Sequence, residues 1–277
     1  MINMMGVAYG RAATATITDQ GPALAPAAIK SMFPEKQWTI VTPDEFNLAE
    51  CIADRFGENF KIQQKIYNAT PTTSHIMIGG DHSTNFGHFA AIADQFPDED
   101  ICLVYIDAHL DIHTPASSQA QASGAPHGTN VRALLGDGDS RWLSLQTKRP
   151  ALRPENIFYL GTRSYEPAEI EYATSQNIYM RTPAQLDTDE KLQNAISEIK
   201  TRIGNRKFVV SFDFDAIDPK YFRDVLVPAP NGIDINAAQQ LLGAFRTAHS
   251  IEFVEYAPTG DSESARIAQQ LIQIVAN

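Results

Sequence analysis

Cysteine is nearly absent from this 277-residue chain: Cys51 and Cys102 are the only two. That is too few for a disulfide framework, and both fall on apolar stretches where a buried hydrophobe is expected. Positive charge is also short, with 22 Lys+Arg against 33 Asp+Glu and a formal net charge of −11. Phosphate binding needs clustered Lys and Arg, so a nucleic-acid partner is not expected. No apolar run approaches the roughly 20 residues that span a bilayer, so no membrane association is expected. Met1–Ile2–Asn3–Met4–Met5 lacks a charged n-region and a long apolar h-region. No secretory leader is therefore expected, and the expected location is cytoplasmic. Linkers, repeats and low-complexity tracts are missing as well, so residues 1–277 read as a single domain. What is present, 43% hydrophobic and 20% charged residues, is enough for a substantial core and excludes a disordered class.

Short apolar runs rich in β-branched and aromatic residues recur along the whole chain. Strands are expected near 3–8, Trp38–Val41, His75–Ile78, Cys102–Ile106, Asn156–Leu160, Asn177–Met180, Phe208–Phe212 and Ile251–Glu255. Helical spacing separates them. Phe46, Ile52, Phe56 and Phe60 mark one amphipathic stretch, with a bend expected at Gly57. Leu192, Ile196 and Ile199 mark another, and Ile267, Leu271, Ile274 and Val275 the last, with Asp261 or Ser262 as its N-cap. About eight strands alternating with helices predict an α/β fold whose mostly parallel sheet is covered on both faces. Thr114–Thr129 is the longest stretch without periodicity and reads as a surface loop of functional interest.

In open parallel sheets, ligands gather at the carboxyl ends of strands. Three strand ends here carry unusual polar clusters: Gly79–Gly80–Asp81–His82–Ser83, Asp107–Ala108–His109–Leu110–Asp111, and Asp213–Phe214–Asp215 with Asp218–Pro219 following. In extended backbone, residues two apart share a face. Asp107 and His109 are thus aimed together, with Asp111 in register if the strand continues, and Asp213 pairs with Asp215 while Phe214 turns to the core. Taken singly, each cluster has an ordinary reading as a turn or helix cap. Together they bring four carboxylates and two imidazoles to one sheet edge. Uncompensated, those carboxylates would repel one another and raise each other's pKa values. Two divalent ions would offset the charge, and a thiolate-free, carboxylate-rich set suits Mn²⁺ first, with other divalent transition metals as alternatives. Two such ions about 3.5–4 Å apart would make a bridging water nucleophilic near neutral pH.

With these motifs the chain resembles the ureohydrolases: arginase, agmatinase, guanidinobutyrase and formimidoylglutamase. The resemblance runs from Gly21–Pro22 to the final helix and rests on the motifs at 79–83, 107–111 and 211–219. It implies a three-layer α/β/α fold around an eight-stranded parallel sheet, and two Mn²⁺. One ion would be held by His82, Asp107, Asp111 and Asp213, the other by Asp107, His109, Asp213 and Asp215. His127 in His127–Gly128 resembles the family's proton-shuttling histidine at the mouth of the site. Glu255 resembles the carboxylate that pairs with the substrate's guanidinium, a planar cation suited to a bidentate acceptor. The implied reaction is attack of a metal-bridging hydroxide, held by Asp111, on a guanidino or amidine carbon. The amine then leaves after protonation through Asp111 or His127, and urea is released. Relatives often form trimers or hexamers, so a homo-oligomer is expected.

Substrate choice stays open at this point. Ser123 stands where arginases contact the substrate's α-carboxylate, but Ala125 replaces a polar neighbour and His113–Thr114 replaces Asn-Thr. Glu166, with Glu169 nearby, falls where arginases place an acid for the α-amino group. Ser123, His113 and Glu166 are therefore the candidate substrate contacts, and His127–Gly128–Thr129 resembles agmatinase instead. Arginine-like and agmatine-like compounds, 4-guanidinobutyrate and formimidoylglutamate are the alternatives. A regulatory protein retaining metal without turnover is a further alternative, and so is a deacetylase-like amidohydrolase. His75, His88 and His249 read as structural.

Overall fold

The computed structural model describes residues 2–12, 20–118 and 123–277; Met1 and part of the Thr114–Thr129 loop lie outside them. The strands are β1 (Asn3–Val7), β2 (Trp38–Val41), β3 (His75–Ile78), β4 (Cys102–Ile106), β5 (Ile157–Leu160), β6 (Tyr179–Arg181), β7 (Phe208–Asp213) and β8 (Ser250–Val254). They form one eight-stranded sheet in the order β2-β1-β3-β8-β7-β4-β5-β6. Every pairing is parallel. β3, β4, β5 and β8 are buried at every residue, as their unbroken apolar runs require of strands covered on both faces.

Among the described residues the α-helices are α1 (Ala25–Met32), α2 (Leu48–Ala53), α3 (Arg55–Ala69), α4 (Thr84–Gln95), α5 (Asn130–Leu134), α6 (Ser140–Leu145), α7 (Pro167–Ser175), α8 (Asp189–Ile203), α9 (Ile235–Phe245) and α10 (Ser262–Ala276). One core layer joins the sheet to α1, α8, α9 and α10 through residues such as Ile29, Ile199, Leu241 and Leu271. The opposite layer joins it to α4, α5 and α6 through Phe86, Phe89, Val131 and Trp142, while Ile62 and Ile66 of α3 pack beside β1. These are the three layers expected. Asp261 caps α10, accepting from the backbone of Glu263 and Ser264.

Three local expectations need correction. The stretch around Phe56 is two helices, and the break falls at Asp54 rather than Gly57. The Asp54 carboxylate accepts from the Gly57 amide and so starts α3 there. Phe46 lies on neither helix. Asn177 does not open a strand: its φ of 52° marks the end of the helical turn, and β6 begins at Tyr179. Glu255 likewise leaves β8, with a φ of 61° that no strand continues through.

The strand order places four carboxyl ends side by side, those of β3, β8, β7 and β4. The motifs that follow these strands, distant in sequence, therefore meet along one edge. Gly80 lets this edge close. An added Cβ there would lie 1.6 Å from the Tyr9 carbonyl oxygen, which accepts from the Asp81 amide at 2.9 Å. No side chain fits between them, and main chain on both sides leaves little room to yield. Gly80→Ala is expected to destabilise the fold by more than about 3 kcal/mol, beyond the usual cost of overpacking. Chemical denaturation measures this, and an unchanged midpoint would contradict it.

Candidate metal centre and active site

The six predicted ligands converge. His82 Nδ1 lies 2.9 Å from Asp107 Oδ2, 3.0 Å from Asp213 Oδ2 and 3.3 Å from Asp111 Oδ2. His109 Nδ1 lies 3.1 Å from Asp215 Oδ2 and 3.5 Å from Asp107 Oδ1. Asp107 thus gives one oxygen to each of two groups, His82–Asp107–Asp111 and Asp107–His109–Asp215, each compact enough to hold a metal ion. Asp213 turns Oδ2 toward His82, while its Oδ1 accepts from the Asp215 amide at 2.7 Å.

Extended backbone does not produce this convergence. β4 ends at Ile106, and Asp111 returns to the cage with a φ of 49°. Asp215 sits in a single 3-10 turn, Phe214–Ala216, while Phe214 is buried in the core as expected. A left-handed backbone on a non-glycine residue costs on the order of 1 kcal/mol or more and persists only where the surroundings impose it. At Asp111 those surroundings are the Tyr105 hydroxyl, donating to Oδ2 at 2.9 Å, and the Asn130 amide, donating to the same oxygen at 3.1 Å. The Tyr105 ring also stacks on His82 with centroids 4.6 Å apart.

The electrostatics match a site made for cations. Asp111 is pushed up to about 7, by burial first and then by Asp107. Burial and Asp215 raise Asp213 well above the carboxylate range, and burial raises Asp215. Asp107 moves the other way: burial opposes ionisation, but hydrogen bonds from His109 and His82 outweigh it. His82 and His109 are both held well above 6.5; burial works against this, but the adjoining carboxylates prevail. Cations bound among these carboxylates would offset the repulsion that raises them.

A cavity of about 250 Å³ opens over this cage. Glu255 reaches it from the end of β8: Oε1 accepts from the His82 amide at 2.8 Å, while buried Oε2 has no hydrogen-bond partner. Burial, then Asp81, raises its carboxyl well above the usual range. His127 lines the cavity, and its Nδ1 lies 2.9 Å from the Ala12 carbonyl oxygen. That acceptor fixes the proton on Nδ1 and leaves Nε2 as the ring's acceptor. Burial lowers the His127 pKa to about 4, so the ring is neutral near pH 7.

The predicted substrate contacts divide. Ser123 and Glu166 line the cavity, together with Glu169, Ser164, Tyr165 and Val227. His113 does not. Its ring is 1% exposed and sits behind the wall, with Nδ1 2.8 Å from Ser117 Oγ and Nε2 3.4 Å from Glu169 Oε2 and 3.6 Å from Glu166 Oε1. Its role here is support for the two acids. Tyr105, Asn130 and Ser211 are contacts that sequence reasoning missed; Ser211 Oγ lies 2.8 Å from His82 Nε2. The same-face rule for residues two apart would have found two of them, since Tyr105 precedes Asp107 and Ser211 precedes Asp213 by two.

Comparison with known proteins adds the relationship. A family model described as the Arginase family matches residues 2–276. An arginase of Entamoeba histolytica is 30% identical over 198 residues, which are 68% of this chain and 63% of that protein. The chain therefore spans less than two thirds of that relative's length. An arginase of Staphylococcus aureus (strain MSSA476) is 28% identical over 247 residues, 85% of this chain and 79% of the relative. Among solved structures, E. histolytica arginase in complex with L-ornithine aligns with a TM-score of 0.84 at 20% identity, covering 100% of this chain and 98% of that one. Bacillus subtilis formimidoylglutamase aligns at 0.77 and 18% identity, covering 99% and 85%. At these identities the structural matches speak to the fold.

The raised carboxyls fix the sign of one pH effect. Asp111 has a folded pKa of about 7 against 3.8 for an unperturbed group, so its contribution to stability is present at low pH and lost as pH rises toward 7. The raised histidines act in the same direction. Burial of neutral His127 and His75 opposes this trend below about pH 6.5, so metal-free protein should lose thermal stability from about pH 6.5 to about pH 8, and a divalent ion should restore more of it at the higher pH. Calorimetric melting temperatures with and without Mn²⁺ measure both; a flat metal-free profile would contradict the assignment.

Proposed function

This chain belongs to the arginase family, and from that premise we propose that residues 1–277 form a single catalytic domain that hydrolyses a guanidino compound at a dinuclear metal centre, releasing urea and an amine. One observation carries the reading: Asp107 divides its two oxygens between two ligand groups at the floor of a cavity. His82, Asp111 and Asp213 would complete one site with Asp107, and His109 and Asp215 the other, with Asp213 as a second shared ligand. The donor set, rich in oxygen and free of thiolate, suits Mn²⁺. Two ions held there would supply the Lewis acidity that makes water nucleophilic near neutral pH.

The protein's own groups do the rest. Glu255 Oε2, buried and without a partner, accepts N–H groups of the guanidinium and holds the reacting carbon over the cage. Asp111, fixed by Tyr105 and Asn130, orients the attacking water and takes up its proton. His127 has its Nδ1 tied to the Ala12 carbonyl, and its Nε2 exchanges protons at the cavity wall. The leaving amine takes its proton by way of Asp111 or His127.

The far end of the cavity argues for the substrate class. The lining includes Asp111, Glu166, Glu169, Asp213, Asp215 and Glu255, but no lysine or arginine among the described residues. A substrate carboxylate would face Glu166 and Glu169 with no cation lining the wall, and His113 stands behind those acids. A neutral or cationic far end, as in agmatine, suits this wall better than the carboxylates of arginine, 4-guanidinobutyrate or formimidoylglutamate.

The test is a Mn²⁺-reconstituted enzyme assayed for urea or formamide with arginine, agmatine, 4-guanidinobutyrate, guanidinopropionate and formimidoylglutamate. Urea from agmatine in preference to arginine is expected, and arginine preference would overturn the substrate class. Asp213→Ala should reduce turnover to background; turnover surviving chelation and dialysis would refute the metal reading. Glu255→Gln should lower kcat/KM about 10–100-fold, the effect of losing a charged hydrogen bond worth about 1.5–3 kcal/mol.

A further inference from the structure

Two apolar side chains stand at the mouth of the otherwise polar cavity. Tyr165 and Val227 both line it, yet they are 44% and 40% exposed. A single exposed apolar residue is ordinary on any protein surface. Here two share one cavity, and they come from different loops: Tyr165 from the turn between β5 and α7, Val227 from the segment between β7 and α9. Around the second, Leu226, Val227, Pro228, Ala229 and Pro230 carry no polar side-chain group.

Both backbones are held in place. The sheet order puts β4 between β5 and β7, so the two loops meet beside the end of β4. Arg163 ties them together. Its Nε donates to the Pro230 carbonyl oxygen at 3.0 Å. One terminal nitrogen donates to the carbonyls of Gly161 and Ala216 at 3.0 and 3.1 Å, the other to those of Asp215 and Ala229 at 2.8 and 2.6 Å. Five N–H groups meet five carbonyls, which uses the planar fork completely. The amides of Arg163 and Ser164 both donate to the Ala108 carbonyl oxygen at 2.9 Å, and the Glu166 amide donates to Glu169 Oε2 at 2.9 Å. Tyr165 is thus fixed on either side, while among the described residues its side chain makes no hydrogen bond or ring contact. Pro228 and Pro230 restrict the backbone around Val227. Exposed side chains on a fixed frame meet a ligand with little ordering cost.

The floor of the cavity decides what passes between them. With a guanidinium at Glu255, the rest of the substrate runs from the cage toward the mouth. A tyrosine ring face and a valine isopropyl group suit methylenes, each of which gains about 4-fold in affinity when fully buried. We propose that Tyr165 and Val227 are the specificity-determining pair of this site: they grip the chain that carries the guanidinium, and so favour unbranched alkylguanidines over those with polar groups along the chain. The inference rests on the reading of the cavity as a guanidinium site.

The experiment is isothermal titration calorimetry of full-length, Mn²⁺-reconstituted protein with methyl-, propyl- and pentylguanidine, which differ only in chain length. Urea is assayed after each titration, and a probe that is turned over is scored by its KM. Wild type should bind pentylguanidine at least about 10-fold more tightly than methylguanidine, below the ceiling of about 4-fold per added methylene. Tyr165→Ala and Val227→Ala should each cut that ratio by about 3-fold or more, at wild-type affinity for methylguanidine. Tyr165→Phe should keep the ratio, because the ring face makes the contact and the hydroxyl does not. Both side chains are exposed, and melting temperatures at the wild-type value verify that the variants fold. A wild type that binds none of the three probes sinks the guanidinium reading, and this proposal with it. If methylguanidine binds and affinity does not rise with chain length, the proposal alone falls. It also falls if the alanine variants keep the wild-type ratio, or if they weaken all three probes equally, as a loosened rim would.

Discussion

Mutual repulsion among four buried carboxylates is the constraint on which the rest of this structure depends. At about 4 Å and an effective dielectric near 20, one like-charge pair costs about 4 kcal/mol, a large fraction of a domain's net stability. Asp107, Asp111, Asp213 and Asp215 meet at such distances around His82 and His109. Their response is division. Asp107 stays ionised against both imidazoles, while its three neighbours are driven toward the protonated form. A chain that builds such a cage needs cations to complete it, and the fold's less ordinary features serve that assembly. The order β3-β8-β7-β4 brings four strand ends together, Gly80 lets the β1 loop close over them, and left-handed backbone at Asp111 and Glu255 turns two carboxylates inward.

Legibility from sequence followed burial. Trp38–Val41, His75–Ile78 and Cys102–Ile106 were readable to the residue, because apolar β-branched runs bounded by polar residues have one sensible assignment. Element ends set by a single side chain were not. Asp54 stops one helix and starts the next with one hydrogen bond, and Asn177 ends a helical turn by adopting positive φ. Neither event leaves a periodic trace. The six cage residues were legible because each motif is local, though alternation along a strand supplied the right partners for an incomplete reason. Tight turns after β4 and β7 bring them together.

The contacts that hold those ligands were less legible. Tyr105 and Ser211 are flanked in their strands by buried apolar residues, Val104 and Ile106 or Val210 and Phe212, so each looks like a core position. Asn130 reaches Asp111 and the His127 carbonyl only because a short turn precedes α5. The Ala12 contact that sets the His127 tautomer joins residues 115 apart, and no local pattern encodes it. His113 shows the opposite limit. Its nearness to Asp111 in sequence suggested a substrate contact, but the ring turns behind Glu166 and Glu169, which hold each other in a reciprocal cap at the start of α7.

These supports divide the cavity into two ends with separate duties. Under the proposed function, Glu255 and the cage at the inner end would hold a guanidinium over the reacting position. At the outer end, Glu166 and Glu169 set the local charge, with the His113 ring behind them. Divalent ions would neutralise the inner carboxylates but would leave the outer wall acidic. On the same reading, capture of the reacting group and choice among its bearers would rest on different residues. Under the proposed function, substitutions on the outer wall would act on substrate choice, because Glu166 is held there by the Ser118 hydroxyl and by its reciprocal cap with Glu169 at the start of α7.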